Sequence, residues 1–433
     1  VIKSRWFPPY DPWFAGGSMN YYYFGFVLIG TVVEALGIIP SIAYNLAIPT
    51  LFAMTGVGGY TLASNLARGS DRRARHAGIW GVLLTLLLGN LGELRLIIKG
   101  LAEVGDVNFE SLIPGYRMLV SAAAGFWKVV VRGAQLPFRP EWWYWNATRI
   151  VEIKPNEQVP PINEFPAFTF LYGDLHAHAM ALPLTQVALG IALQWAVRNV
   201  SHVGVQIQLG LKRLFDAGAD NVILKRSNPL NPFNPATLVL AALVAGALRA
   251  TNTWDYPTYL LLMGLGYLLP VLPTLLPDNG NEQRSHWRYL HLLVPVVLFL
   301  LAEIFFRPYT SRYAAAYTSI EPWRGARTPL SDYLVMHGQF LLPVILFALG
   351  NVLALLKRLK QERTAWASLG IVAVGSLMLT LVLHAIGVKA AWIAVPLGTL
   401  AALLLLVAKE KPRRQTLWLW VGTALALTLM VEV

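Results

Sequence analysis

Residues 172–183 read Tyr-Gly-Asp-Leu-His-Ala-His-Ala-Met-Ala-Leu-Pro and lead straight into an apolar run. One carboxylate, Asp174, and two imidazoles, His176 and His178, therefore stand at alternate positions at the mouth of a hydrophobic segment. Ionisable groups are costly in hydrocarbon, so a cluster at the end of a span lines water or does chemistry. The segment it opens, 179–197, is close to the length of about 20 residues that crosses a bilayer. Similar runs occupy 21–37, 41–66, 77–98, 235–251, 256–276, 288–306, 335–356, 366–386, 389–408 and 416–432. A twelfth, 113–131, is interrupted by Arg117 and Lys128 and reads equally as an interfacial amphipathic helix.

Only helices and closed barrels satisfy backbone groups in lipid, and runs this apolar are not barrel strands. The expected fold class is all-α: a polytopic transmembrane bundle of 11–12 spans forming one domain over 1–433. Composition agrees. Hydrophobic residues make up 56% of the chain and charged residues 13%, against roughly 25% charged in soluble domains. There is no cysteine, which removes disulfides and thiolate metal sites. The net charge of +12 suggests nucleic acid at first sight. Nearly all of it falls in loops that the positive-inside rule makes cytoplasmic, so no nucleic-acid partner is expected. Val1 is not a methionine and no signal peptide follows it, so an N-terminal span is expected to precede this chain.

Loop charge sets the orientation. The basic loops 198–234, 277–287, 357–364 and 409–415 alternate onto one side, which is cytoplasmic. The aromatic loop 132–178, the turn Thr253–Pro257 and the basic loop 307–334 then lie outside. The basic loop 68–76 breaks this alternation unless 21–66 crosses once or 113–131 is a true span.

Several polar groups stand in or beside the loops. Asp11 sits in Phe7-Pro-Pro-Tyr-Asp-Pro-Trp-Phe14, ahead of Tyr21, Tyr22 and Tyr23. A carboxylate held between prolines and aromatics suits a general base; its bland alternative is a turn residue beside an aromatic belt. Asp174, His176 and His178 offer oxygen and nitrogen donors for a divalent ion, magnesium or manganese ahead of zinc. The His-x-His spacing needs extended backbone, because on a helix the rings would point about 200° apart. The bland alternative is a helix cap with interfacial histidines. Glu164 is a second acid/base candidate or a partner for Arg149, whose forked donors suit phosphate. Asn252, Trp254 and Asp255 interrupt two spans, and Asp255 there is a helix cap or a cavity group. Arg307 and Arg312 make an external loop basic against the usual bias, which points to an anionic ligand or to lipid headgroups. His337 stands at the next helix mouth.

Three of these stretches carry a family resemblance. Asn20-Tyr-Tyr-Tyr-Phe-Gly25, Glu164-Phe-Pro with Gly173-Asp-Leu-His-Ala-His178, and Asn252-Thr-Trp-Asp255 resemble the "YYY" family of multi-spanning membrane proteins, named for its tyrosine triplet. That family is grouped by fold with the GT-C glycosyltransferases. The resemblance implies a polyprenyl-phosphate-linked sugar as donor, an acceptor hydroxyl, and a base in the first external loop, where Asp11 stands. It implies an inverting transfer on the extracytoplasmic side of the cell membrane, with membrane lipids as further partners. Two other classes remain: a secondary transporter, which would place charges near mid-span within inverted repeats, and a membrane-embedded metal-dependent hydrolase.

Overall fold

The computed structural model describes residues 1–139, 142–151, 161–197, 235–271, 286–314, 325, 327–359, 363–407 and 412–432. Among the described residues the chain is helical, with no strand beyond one isolated bridge between Tyr10 and Ser18. In order, the helices are α1 (Phe24–Leu36), α2 (Pro40–Leu66), α3 (Asp71–Val82), α4 (Gly92–Gly105), α5 (Tyr116–Arg132), α6 (Trp142–Trp145), α7 (Pro166–Tyr172), α8 (Ala177–Ala196), α9 (Pro235–Thr251), α10 (Asp255–Leu268), α11 (Val294–Phe305), α12 (Arg307–Thr310), α13 (Leu330–Leu359), α14 (Arg363–Ala385), α15 (Ala391–Val407) and α16 (Pro412–Glu432). Each of the eleven apolar runs is thus helical, at least in part. By length and composition, Pro40–Leu66, Ala177–Ala196 and Leu330–Leu353 suffice to cross a bilayer, and five further apolar helices are shorter. The loop 198–234 lies outside the described residues, as does most of 315–326.

Local chemistry sets the boundaries. α1 stops at Gly37, whose φ of +64° is left-handed. Pro40 then opens α2, where its missing N–H costs nothing. Ser70 caps α3 by accepting from the Arg73 N–H.

The chain forms two compact units. The first comprises Val1–Thr85, Gly173–Glu321 and Leu405–Trp420. Within it, α8 packs against α1, α2, α9 and α10, while α9 also packs on α11. Its core contains Ala181, Ala192, Trp195, Leu248, Met263 and Tyr267, all nearly or fully buried. Small residues let the backbones close in: a Cβ on Gly266 would come within 2.6 Å of the Ala192 carbonyl oxygen.

The second unit comprises Leu86–Tyr172, Pro322–Leu404 and Val421–Val433. Here α4 and α5 pair closely. A Cβ on Gly105 would fall 1.8 Å from the Ser121 oxygen, and one on Gly125 1.8 Å from the Leu101 oxygen. Lys128 explains its own presence in an apolar run: its Nζ donates to the carbonyls of Val104 (3.0 Å) and Gly105 (2.9 Å), at the end of α4. Residues 113–131 are therefore largely a packed helix, and α5 is not among those long and apolar enough to cross. The run 77–98 is not one helix either, because the chain leaves helical geometry ahead of Gly92. The groups freed at that break are satisfied nearby. The Leu91 N–H donates to the Val335 oxygen (2.8 Å), Gln339 Nε2 to the Gly89 oxygen (2.7 Å), and Asn90 Nδ2 to the Ala147 oxygen (2.6 Å).

The α4–α5 contact has no room for a side chain. Gly125→Leu is expected to destabilise the protein by about 1–3 kcal/mol through overpacking, read as a lowered unfolding temperature in detergent. An unchanged transition would mean that these helices do not meet at Gly125.

Candidate functional site

Asp174, Leu175 and His176 form the extended entry to α8, with φ −68° and ψ 153° at His176. His176 is thus extended, as the His-x-His spacing anticipated, but His178 already lies in the first turn of α8. The two rings stack, with centroids 5.3 Å apart and planes inclined by 23°. His176 Nε2 lies 3.0 Å from Asp174 Oδ2. The other carboxylate oxygen, Oδ1, accepts from the Tyr44 hydroxyl at 2.8 Å. That hydroxyl in turn accepts from the Leu175 N–H at 3.1 Å. Tyr44, in the first turns of α2, thus locks the carboxylate that orients His176. The pair stays accessible: the His176 and Asp174 side chains are 43% and 41% exposed.

Among the described residues no group of three or more His, Cys, Asp or Glu side chains is placed to hold an ion. His176 Nε2 faces one Asp174 oxygen, and the other is engaged by Tyr44.

A second cluster in the same unit joins three stretches that are remote in sequence. Tyr21 and Tyr22 lie 5.2 Å apart by ring centroid, Tyr22 and Tyr313 5.9 Å, Tyr313 and Tyr309 5.1 Å, and Tyr309 and Tyr23 5.5 Å. Tyr22 also interacts with Trp254. Asn20 ties the first stretch to the second, donating to the Ala314 oxygen (3.1 Å) and accepting from its N–H (3.0 Å). Tyr23 and Tyr309 are buried, whereas Trp254 is 72% exposed. Arg312 lies close enough to act electrostatically on Tyr23, and Arg307 opens α12. In the intervening turn, Asn252 Nδ2 donates to Asp255 Oδ2 at 2.9 Å. Burial pushes the Asp255 carboxyl above the usual carboxylate range, and the Asn252 bond only partly opposes it.

The two clusters share one end of the unit. A Cβ on Gly25, two residues past Tyr23, would meet Met180, two residues past His178. Asp11 precedes the tyrosines in a small closed loop: its Oδ1 accepts from the Trp13 N–H at 2.8 Å and its N–H donates to the Gly17 oxygen at 3.0 Å. Trp6, Trp13 and Phe14 around it are exposed.

Glu164, Arg149 and His337 belong to the second unit. Arg149 lies over the Trp145 ring at 3.7 Å and bonds to Thr148 Oγ1. The Asn163 N–H donates to the Thr148 oxygen at 2.8 Å, which brings the Glu164 stretch alongside. The His337 ring sits 4.8 Å from that of Tyr333.

Two groups escaped the sequence reading. Tyr44 is one polar side chain on a long apolar helix. Arg249 and Glu303 form an ion pair, with the Tyr256 hydroxyl donating to Glu303 at 2.9 Å. Their signal was opposite charges placed late in two separate apolar runs.

Long apolar helices with polar motifs collected at their ends define a helical membrane protein. The chain belongs to the family described as "Uncharacterized membrane protein (DUF2298)", whose sequence model matches residues 1–433. No curated protein and no solved structure matches it.

The raised Asp255 carboxyl has a consequence for stability. The folded state holds this proton more tightly than the unfolded chain, so stability falls as pH rises above the unfolded value near 3.8. Asp255→Asn removes that loss. The variant is expected to unfold at a higher temperature than wild type at pH 7, with the gap closing below the ordinary carboxylate range. Parallel melts at acidic and neutral pH check this; a gap that widens on acidification would refute it.

Proposed function

We propose that this protein is a membrane glycosyltransferase of GT-C type, moving a sugar from a polyprenyl-phosphate donor to an acceptor hydroxyl on the extracytoplasmic side. The observation that supports it is the convergence at one end of the first unit. The tyrosine triplet, the Asn252–Asp255 turn and the Asp174–His176 pair all meet where helices begin or end. An enzyme working on a headgroup at the membrane surface needs its polar groups there. A transporter needs them near mid-span.

In this reading Asp11 takes the proton of the acceptor hydroxyl as that oxygen attacks the anomeric carbon. The bond from that carbon to the lipid-phosphate oxygen breaks on the opposite face, so the configuration inverts. The bonding electrons leave with the phosphate. Its growing charge is met by the Nδ1–H of His176 in its imidazolium form, whose Nε2–H is held by Asp174, and by Arg307 and Arg312. The leaving group is already a good one, so no strong general acid is required. Tyr21, Tyr22 and Trp254 supply flat faces for the sugars.

Among the described residues, the helix break before Gly92 favours transport, since discontinuous helices often hold ions. Its freed backbone groups are bonded within the second unit, and this weakens that reading.

The test uses labelled polyprenyl-phosphate sugars with the protein in nanodiscs, measuring donor binding and sugar release separately. Asp11→Asn is expected to keep binding and lose about 10²–10⁴-fold in turnover, the usual weight of a general base. Tyr44→Phe is expected to lose less, through kcat rather than KM. A wild-type protein that binds no lipid-linked sugar would overturn the reading.

A further inference from the structure

An apolar cavity of about 910 Å³ lies between α2 and α8 in the first unit. Its walls run from Leu46 to Leu62 on α2 and from Pro183 to Trp195 on α8. It exists because side chains are missing. Gly190 faces it from α8, and a Cβ built there meets no atom within 4 Å. Gln186 spans the gap behind it: Nε2 donates to the Thr55 oxygen at 2.8 Å, and a Cβ on Gly58 would come within 1.8 Å of Oε1. The two helices are thus tied at a fixed separation while the space beside that tie stays unfilled. Interiors normally fill such space.

Two features identify the occupant. The first is continuity with the polar cluster. Leu46 is two residues along α2 from Tyr44, and Pro183 is five along α8 from His178. Both helices start at the Tyr44–Asp174–His176 end, so the groove begins directly beneath that cluster. A polar head above a long apolar channel describes an amphiphile. The second feature is length. At 1.5 Å per residue the α2 wall extends about 24 Å. A bilayer core is about 30 Å thick, so the chains of one leaflet end after roughly 15 Å. The groove continues past that depth.

We propose that the groove binds the single long hydrocarbon chain of the lipid substrate, with its headgroup at Tyr44, Asp174 and His176. Its length makes the site selective for isoprenoid chains that pass the bilayer midplane, over the acyl chains of one leaflet. This rests on the transferase reading for the headgroup chemistry, but the binding site itself can be tested alone.

Gly190→Phe projects a ring into the groove from a position where a Cβ meets no atom within 4 Å. Gly375→Phe, on α14, is the control, because a Cβ there also meets nothing within 4 Å. Binding of a short, an intermediate and a long polyprenyl phosphate to the full chain would be measured by native mass spectrometry from nanodiscs, beside sugar release. Wild type and Gly375→Phe are expected to prefer the long chain, and Gly190→Phe to bind it roughly tenfold more weakly or worse. Equal binding of all lengths, equal competition by a two-chain phospholipid, or full binding by Gly190→Phe would overturn the groove assignment. Groove-dependent binding without any sugar release would uphold this site and reject the transferase reading. Sugar release unaffected by Gly190→Phe would do the reverse.

Discussion

One hydroxyl organises the first unit. The Tyr44 oxygen accepts from the Leu175 N–H and donates to Asp174, so a single side chain of α2 fixes both backbone and carboxylate at the entry to α8. An extended entry leaves peptide groups that no helix can satisfy, and in a membrane protein each orphan is expensive. Tyr44 answers one of them and simultaneously occupies a carboxylate oxygen. Because α8 packs on α1, α2, α9 and α10, the direction in which it starts sets the position of the helices around it. The stacked His176 and His178 rings follow from that start, since an extended His176 followed by a helical His178 places both imidazoles on one side.

Below that entry, packing depends on absent side chains more than on large ones. Lipid tails are as apolar as leucine, so burial of hydrophobic surface does little to hold helices together; close backbone approach does more. Gly266 against Ala192, and Gly105 against Gly125 in the second unit, show this directly. The α2–α8 pair departs from the pattern. Gly58 brings the two helices together at Gln186, whereas Gly190 leaves a void. A glycine that closes a contact and a glycine that opens a cavity look identical in sequence.

That difference marks how far the residues alone could be read. The all-helical class and the apolar runs were legible because hydropathy and length decide them. The His-x-His spacing anticipated extended backbone, which the chain keeps at His176 and leaves at Ala177. Tyr44 was not legible, because its partner is 130 positions away in the chain. Lys128 read as an interruption, yet it satisfies carbonyls at the end of α4. The break before Gly92 hid inside Gly89-Asn-Leu-Gly92, where a polar pause looks like the end of a span. The metal reading followed from ligand types at plausible spacing, and among the described residues no group of three such side chains is placed to hold an ion. The meeting of the tyrosines with Trp254 and Tyr313 is tertiary and left no local trace, although each stretch was noticed separately.

The charged groups of the first unit divide by accessibility. Arg249 and Glu303 pair beneath the tyrosine cluster, with Tyr256 donating to the same carboxylate and the guanidinium 5.4 Å from the Tyr256 ring. Such a network satisfies its own charges, and removing one member would strand the other. It needs no ligand. Asp174 and His176 differ in kind: they face each other too, but about two-fifths of each side chain remains open. A carboxylate that orients an imidazole while leaving it reachable is an expensive ornament for a structural cap, which an asparagine or serine would serve as well. Accessibility, more than pairing, is what separates the Arg249–Glu303 pair, which braces this end of the protein, from the Asp174–His176 pair, which stays open.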